Sequence, residues 1–364
     1  MRIVIIADVM DTGLGGMKTY ADNLVRCIPE VDTINEYYII NLTRTDCDRN
    51  VSFISIPYTR YPGKFFIRKF WQVPKKIRSL KPDVVLETTH IGPFFLPKGV
   101  KRLTVIHDLS TFIHPKHYTW INRMSERMLL PGIIRRADHL ITVSESTKRD
   151  IQTLFDVASD RLTVIPLGVE EIFRPTRDQA ILDKYGVVRP YFLHVGTIQP
   201  RKNIEMLVDA YERFRDANPM KVQLVLVGKI GWKSERVIDK IKKSQYSSDI
   251  IQTGHVAKEE LPVFYSMCNL FVFPSHYEGF GLPLLEALAC GAACVSADNS
   301  SLREVGGDRV NYYGGGNHFD LSQAMINFSL RDQTNLDPLA MHSKVFSWEK
   351  MTTKTVKVLE NTSQ

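Results

Sequence analysis

The chain has 364 residues, too many for one ordinary hydrophobic core, and this predicts about two domains. Hydrophobic residues make up 44% and charged residues 24%, which excludes a disordered or fibrous chain. The net charge of +7 is uneven. Met1–Glu170 holds 24 basic and 18 acidic residues and the remainder 23 and 22, so an anionic partner is expected in the first half.

In chain order, Arg2–Ala7 reads as a buried strand. A glycine-rich turn follows, then a helix over Met17–Ile28 with Tyr20, Leu24, Cys27 and Ile28 on one side. Further strands are predicted at Tyr37–Leu42, Asp83–Leu86, Leu103–Ile106, His139–Val143 and Leu162–Ile165. Helices fall near Phe65–Leu80, Ile121–Arg136 and Glu145–Phe155. This βαβ rhythm predicts an α/β fold with a parallel sheet covered on both faces. Pro166-Leu167-Gly168 and Arg174-Pro175 interrupt it, and it then restarts. Strands are predicted at Tyr191–Val195, Val222–Val227, Ile250–Thr253, Leu270–Phe273 and Ala293–Ser296, and helices at Asn203–Arg215, Glu259–Met267 and Leu282–Leu288. Two similar α/β domains, 1–169 and 170–345, are expected. In such sheets ligands bind beyond the carboxyl ends of the strands.

The five cysteines form no C-x-x-C pair, and Cys290 and Cys294 lack a second pair to complete a zinc site. Reduced thiols in a cytoplasmic protein are expected. The first apolar run is broken by Asp8, too soon for a signal peptide, and no run of 18 apolar residues could span a membrane.

The most informative segment runs from Phe273 to Gly291. A strand ends, the turn Glu278-Gly279-Phe280-Gly281 follows, and a helix opens at Leu282-Pro283, where a proline is favoured. Free N–H groups at such a terminus attract an anion, and the glycines let a ligand approach the backbone. Glu278 lies on the loop and Glu286 about one turn into the helix. Two such carboxylates can accept hydrogen bonds from separate hydroxyl clusters of one ligand, or can simply be solvated.

Glu278-x7-Glu286 resembles the E-x7-E signature of retaining glycosyltransferases of family 4, which have the GT-B fold of two Rossmann-like domains. Gly196-Thr197-x3-Arg201-Lys202-Asn203 is similar to the family's phosphate motif. Gly254-His255-Val256, Gly15-Gly16, His107-Asp108-Leu109 and Ser300-Ser301-Leu302-x-Glu304-Val305 resemble other landmarks. The resemblance extends from residue 1 to about Glu349. It implies that Arg201 and Lys202 hold a donor diphosphate and stabilise the leaving group, one through a planar fork and one as a point charge. It also implies that Glu286 binds the ribose hydroxyls and Glu278 faces the transferred sugar. Gly279, Phe280, Gly281 and Leu282 would lie along sugar and phosphates. Gly196, Thr197, Gly228, Lys229 and Val256 would line the donor site, although ordinary strand–turn chemistry accounts for Val256 almost as well. Gly15 and Gly16 would meet the donor phosphates and the acceptor. Their loop is no dinucleotide fingerprint, because position 18 is Lys and the second strand ends at Asn41. His107 would contact the sugar; a structural hydrogen-bonding role fits it equally.

The resemblance further implies a metal-independent, front-face transfer with retained configuration. The nucleotide diphosphate sugar is a substrate, so no cofactor and no metal are expected. The first domain would hold the acceptor and the second the donor. The last helix, about Trp348–Leu359, would return with 346–364 to the first domain, and closure around Pro166–Val169 would exclude water. GDP-mannose is the expected donor, because His107-Asp108-Leu109-Ser110 and Ser300-Ser301-Leu302 look most like mannosyltransferase members of surface-polysaccharide (O-antigen) synthesis. A UDP-hexose is the alternative. A sugar-nucleotide epimerase of the same fold, working without acceptor, and a non-catalytic nucleotide-sugar-binding module are the rival readings. Asp46-Cys47-Asp48 is a literal D-x-D in a polar loop and reads as a solvated turn. His114 and His117 lack a third ligand at metal spacing.

From Arg49 to Pro82 there are nine basic residues and no acidic one, interleaved with Tyr58, Tyr61, Phe65, Phe66, Phe70 and Trp71 and broken by Pro57, Pro62 and Pro74. No nucleic-acid fold motif accompanies them. Family members extend lipid-linked glycans on the cytoplasmic face of the membrane. On that basis Lys64, Arg68, Lys69, Lys75 and Lys76 are expected to dock on an anionic membrane surface. Partly buried aromatics beneath solvated cations are the simpler alternative.

Overall fold

The computed structural model describes residues 1–12, 15–61, 63–314, 316–329 and 345–363. The chain divides into two compact units. The first comprises Met1–Phe112, Trp120–Gly168 and Phe346–Gln364, and the second Ile113–Thr119 and Val169–Val345. The seven residues Ile113–Thr119, which the sequence places in the first domain, thus belong with the second unit.

The first unit is built on strands β1 (Arg2–Ile6), β2 (Glu36–Asn41), β3 (Cys47–Asp48), β4 (Val51–Ser55), β5 (Val84–Glu87), β6 (Lys101–Ile106), β7 (His139–Thr142) and β8 (Leu162–Val164). Their order is β3-β4-β2-β1-β5-β6-β7-β8, and every pairing is parallel except β3 with β4. Ile3, Val4, Ile5 and Ile6 of β1 are all at most 1% exposed, as a parallel strand covered on both faces requires. The terminal helix Trp348–Ser363 packs on the helix Gly16–Val31, and Glu360 accepts a 3.0 Å bond from Asn35. Gly168 closes the unit against this helix. A Cβ there would lie 2.3 Å from the Trp348 backbone nitrogen, so no side chain fits.

Strand β4 was not legible as a strand, and the D-x-D contributes Cys47 and Asp48 to the short antiparallel edge while Asp46 pairs with Arg44 at 2.6 Å. The helix predicted over Phe65–Leu80 is continuous but widens to π geometry over Arg68–Gln72, just before Pro74. Proline has no N–H for the carbonyl one turn back, which favours such a bulge.

The second unit carries β9 (Tyr191–Val195), β10 (Gln223–Val227), β11 (Ile250–Gly254), β12 (Leu270–Phe273), β13 (Cys294–Ala297) and β14 (Asn311–Tyr313), all parallel in the order β11-β10-β9-β12-β13-β14. Its core gathers fully buried Phe192, Leu193, Phe214, Leu224, Phe264 and Phe271. Helices Gln179–Lys184, Glu235–Lys243 and His318–Ser329 and strand β14 escaped the sequence reading. Glu235–Lys243 buries only Val237 and Ile241, too narrow a stripe to stand out among charged residues.

Candidate active site

In the second unit the chain runs from β9 to β10 on one side of the sheet, and β12 pairs on the other side of β9. The carboxyl ends of β9 and β12 therefore form the topological switch point, where open α/β sheets bind ligands. Arg201 and Lys202 sit on a turn beyond β9, and Glu278 on the loop beyond β12. Arg201 Nη1 donates to Glu278 Oε2 at 2.6 Å and to the Tyr277 carbonyl at 2.8 Å. Lys202 Nζ donates to Glu278 Oε1 at 2.7 Å and lies 4.8 Å from the centre of the Phe273 ring. Burial alone would raise the Glu278 pKa, but the charges of Arg201 and Lys202 outweigh it and hold the carboxyl at about 2. The three side chains are almost entirely buried and carry one net positive charge.

Backbone shape makes this approach possible. Asn203 takes a left-handed conformation (φ 57°) between the turn and the helix Ile204–Ala217, and its amide reaches the Pro274 carbonyl at 3.3 Å. Gly196 and Gly228 end neighbouring strands so closely that a Cβ on Gly228 would lie 2.1 Å from the Gly196 oxygen. Thr197 follows Gly196, and the Lys229 carbonyl accepts from Ile198 at 2.9 Å, so these four expected donor-site residues lie together beyond the adjacent ends of β9 and β10. Val256 follows β11 and is 3% exposed, packed into the core. Gly279 and Phe280 are buried on the Glu278 loop. Gly281 (φ 101°) has Leu302 2.8 Å from where a Cβ would stand, and it leads into Leu282 at the start of the helix Leu282–Ala289.

Glu286, half-buried on that helix, accepts a 2.8 Å bond from the Tyr265 hydroxyl. Burial raises it to about 7, against the opposing effects of the Tyr265 bond and Lys258. The two glutamates of one motif therefore titrate far apart.

The sequence marks Ser300 and Ser301 only as part of a family landmark and does not show that they fix the Glu278 loop. Ser301 is fully buried, and its hydroxyl reaches the Glu278 carbonyl at 2.9 Å and the Phe280 carbonyl at 2.8 Å. The Glu278 N–H donates to Ser300 Oγ at 3.0 Å. The signal was present, since a Ser-Ser pair a few residues past a strand end is suited to binding loop backbone. Tyr265 and His194 were likewise missed; His194 lies beneath Gly196 with Nδ1 3.0 Å from the Val272 carbonyl.

In the first unit Gly15 (φ 77°) precedes and Gly16 begins the helix Gly16–Val31, while Gly13 and Leu14 lie outside the described residues. His107 stands just beyond β6, with Nε2 2.8 Å from the Thr88 carbonyl and its ring edge-on to Tyr20. Burial lowers it to about 4, so the ring is neutral near pH 7, with the proton on Nε2 donated to Thr88.

The membrane reading needs correction at two positions. Arg68 is 0% exposed and bound to Asp8, with further bonds to the Ile56 carbonyl at 2.6 Å and the Asn41 carbonyl at 3.0 Å. Lys69 is 5% exposed and donates to Glu87 at 2.8 Å. Both are structural ion-pair partners near the carboxyl ends of β1 and β5. A linear run of basic residues cannot show which of them the helix turns inward. Lys64 and Lys75 are exposed and Lys76 is half-exposed, beside Phe66 (55%) and Trp71 (67%). The helix Trp120–Arg136 exposes a second apolar stripe, Trp120, Ile121, Met124 and Met128, which the sequence reading did not flag. Among the described residues no helix is long and apolar enough to cross a membrane.

Comparison with known proteins assigns these features to a lineage. Residues 14–171 match the model described as Glycosyltransferase Family 4, and residues 183–334 that described as glycosyl transferases group 1. The chain is 33% identical over 275 residues to O-antigen chain mannosyltransferase B of Escherichia coli, covering 73% of this chain and 72% of that protein. It is 32% identical over 267 residues to the serotype-specific mannosyltransferase WbdA of Escherichia coli, covering 68% of this chain but 32% of that longer protein. A solved sucrose-phosphate synthase from Thermosynechococcus elongatus superposes with a TM-score of 0.80 at 17% identity, over 99% of this chain and 98% of that one.

Proposed function

Because the chain belongs to glycosyltransferase family 4 and has the GT-B fold, we propose that it moves mannose from GDP-mannose to a hydroxyl of a lipid-linked glycan in surface-polysaccharide synthesis, retaining the anomeric configuration without a metal ion. The observation that carries the transfer reading is the convergence of Arg201, Lys202 and Glu278 at the switch point of the second unit. The mannosyl choice is supported by the likeness to two mannosyltransferases of Escherichia coli.

In this reading the diphosphate takes Arg201 and Lys202 as partners. The bond from mannose C1 to the diphosphate oxygen breaks, and the cations take up the negative charge that grows there. The acceptor oxygen attacks C1 from the same face, and its proton passes to the departing diphosphate. Glu278, released from part of its ion pairing, accepts from sugar hydroxyls, and Glu286 accepts from the ribose. His107, neutral, offers Nδ1 as an acceptor. On the first unit, Lys64, Lys75 and Lys76 with Phe66 and Trp71 meet an anionic cytoplasmic membrane surface.

The test is thermal stabilisation by GDP, UDP, dTDP and ADP, followed by transfer from GDP-[14C]mannose to a lipid-linked acceptor. GDP should give the largest shift, and Arg201→Ala and Glu286→Ala should each abolish it. A larger shift with UDP overturns the mannose assignment, and shifts that survive both substitutions overturn the site.

A further inference from the structure

The second unit has a cavity of about 540 Å³ that the donor chemistry leaves unused. Its wall includes His117, His276, Lys116, Arg236, Glu205 and Glu235, and it adjoins Pro200 and Asn203, the residues flanking the Arg201–Lys202 turn. The size falls in the range of about 300–1,000 Å³ usual for small-molecule sites.

The side chains around it have an unusual distribution. Lys116 and Arg236 face the same space as Glu205 and Glu235, yet among the described residues none of the four forms an ion pair within 4 Å. The two carboxylates sit in the first turns of the helices Ile204–Ala217 and Glu235–Lys243, where the helix terminus favours an anion. Donors and acceptors thus remain available around one void. Counting Lys233, whose ammonium is bound to backbone carbonyls, the wall sets three cations against the carboxylates of Glu205 and Glu235, so neither a phosphate nor a cation meets a wall of one sign. A neutral polyhydroxyl ligand can donate to the carboxylates and accept from the cations in the same pose.

Two flat surfaces complete the wall. The His117 and His276 rings lie 5.0 Å apart at 31°. Burial lowers both, His117 to about 4, so near neutral pH they present uncharged faces suited to the C–H face of a pyranose. The wall is also held in place. Trp232 Nε1 donates to the His117 carbonyl at 2.8 Å, and Lys233 Nζ donates to the Lys116 and Tyr118 carbonyls at 2.8 and 2.9 Å. A site fixed before binding loses less entropy when it is filled.

We propose that this cavity is a saccharide subsite, which takes the neutral sugar chain of the acceptor at a position beyond the hydroxyl being glycosylated. This rests on the transferase reading and sharpens it, because it assigns acceptor recognition partly to the unit that carries the donor cations. The consequence is a preference for acceptors that already bear several hexoses.

The experiment uses the full chain with the methyl glycosides of α-mannobiose and α-mannotetraose, observed by saturation-transfer NMR and by transfer kinetics. The tetraose should bind the wild type more tightly than the biose. Arg236→Ala and Glu205→Gln should each weaken tetraose binding about tenfold. Both variants should raise the KM for the tetraose acceptor while leaving the GDP-induced thermal shift and the biose kinetics unchanged. Equal tetraose binding in wild type and both variants overturns the subsite, whatever the transfer assay shows. Tetraose binding that is lost in the variants, together with no transfer from GDP-mannose, upholds the subsite and overturns the donor reading.

Discussion

Lys202 and Glu278 hold each other 2.7 Å apart, each 6% exposed, at the point where the site's chemistry converges. The same carboxylate also binds Arg201 at 2.6 Å. In the proposed reading, a diphosphate arriving at Arg201 and Lys202 competes with an internal anion for both cations. Removing that charge separates binding from turnover. In Glu278→Gln the cations are released, so GDP binding measured by calorimetry should hold or tighten by a few fold. Mannosyl transfer should fall about 100-fold or more, the scale of losing one preorganised polar partner of the reacting group. A loss of GDP affinity equal to the loss of turnover would show that Glu278 serves only the fold.

The two glutamates of the motif should leave opposite marks on stability as pH changes. Glu278 is held at about 2, below its ordinary 4.5, so its contribution is present above pH 4.5 and is lost as pH falls towards 2. Glu286 is raised to about 7, so its contribution is present below 4.5 and is lost as pH rises through 7. Each corresponds to roughly 3 kcal/mol across its window. Urea unfolding of wild type and Glu286→Gln at pH 5 and pH 8 should show a smaller pH dependence in the variant. If Glu286 holds the ribose as proposed, donor binding should follow the opposite course, because hydroxyls donate to the ionised form. GDP affinity should therefore rise between pH 6 and pH 8 in the wild type and stay flat in Glu286→Gln. Identical pH profiles for the two proteins would contradict the assignment of Glu286.

Ser301 tests the loop itself. Its hydroxyl reaches two carbonyls of the Glu278–Gly281 turn and touches neither cation. Ser301→Ala leaves those carbonyls buried with one partner fewer, at a cost of about 1–3 kcal/mol. Tm should fall, and turnover should fall by more than the fraction unfolded explains. Ser301→Thr, which keeps the hydroxyl, should restore part of both. Recovery of Tm without recovery of turnover would place the defect outside the loop.

The strand ends and their glycines were readable from the sequence because they obey local rules. Apolar runs such as Ile3–Ile6 and Phe271–Phe273 mark central parallel strands, and Gly279 and Gly281 before Pro283 mark a turn opening a helix. What pairs with what was not readable. Glu278 and Lys202 are 76 residues apart, and only the order of β9 and β12 in the sheet brings them together. The same limit misplaced Arg68 and Lys69. Their partners Asp8 and Glu87 lie beyond the acid-free run that made the segment look like a surface. Helix Glu235–Lys243 repeats Val237 and Ile241 at helical spacing, but one apolar pair in a nine-residue run of mostly charged side chains was too short a pattern to read as a helix.

That correction divides the basic segment into two classes with distinct phenotypes. Arg68 belongs to the fold, and Arg68→Ala strands the nearly buried Asp8 carboxylate without its guanidinium partner. A cost of about 3–5 kcal/mol and a large drop in Tm should follow. Lys64, Lys75 and Trp71 belong to the surface, where substitution changes stability by about 0.5 kcal/mol or less. Lys64→Ala, Lys75→Ala and Trp71→Ala combined should leave Tm unchanged. The same variant should weaken binding to vesicles of 30% anionic lipid at low salt, read by co-sedimentation, by about 30-fold or more, since each of the two surface cations contributes about 1 kcal/mol to such binding and the aromatic adds to it. Raising the salt should weaken the wild type towards the variant, because the charges act through a screened field. Undiminished sedimentation of the triple variant would remove this face from the membrane reading and shift attention to the exposed Trp120, Ile121, Met124 and Met128 stripe.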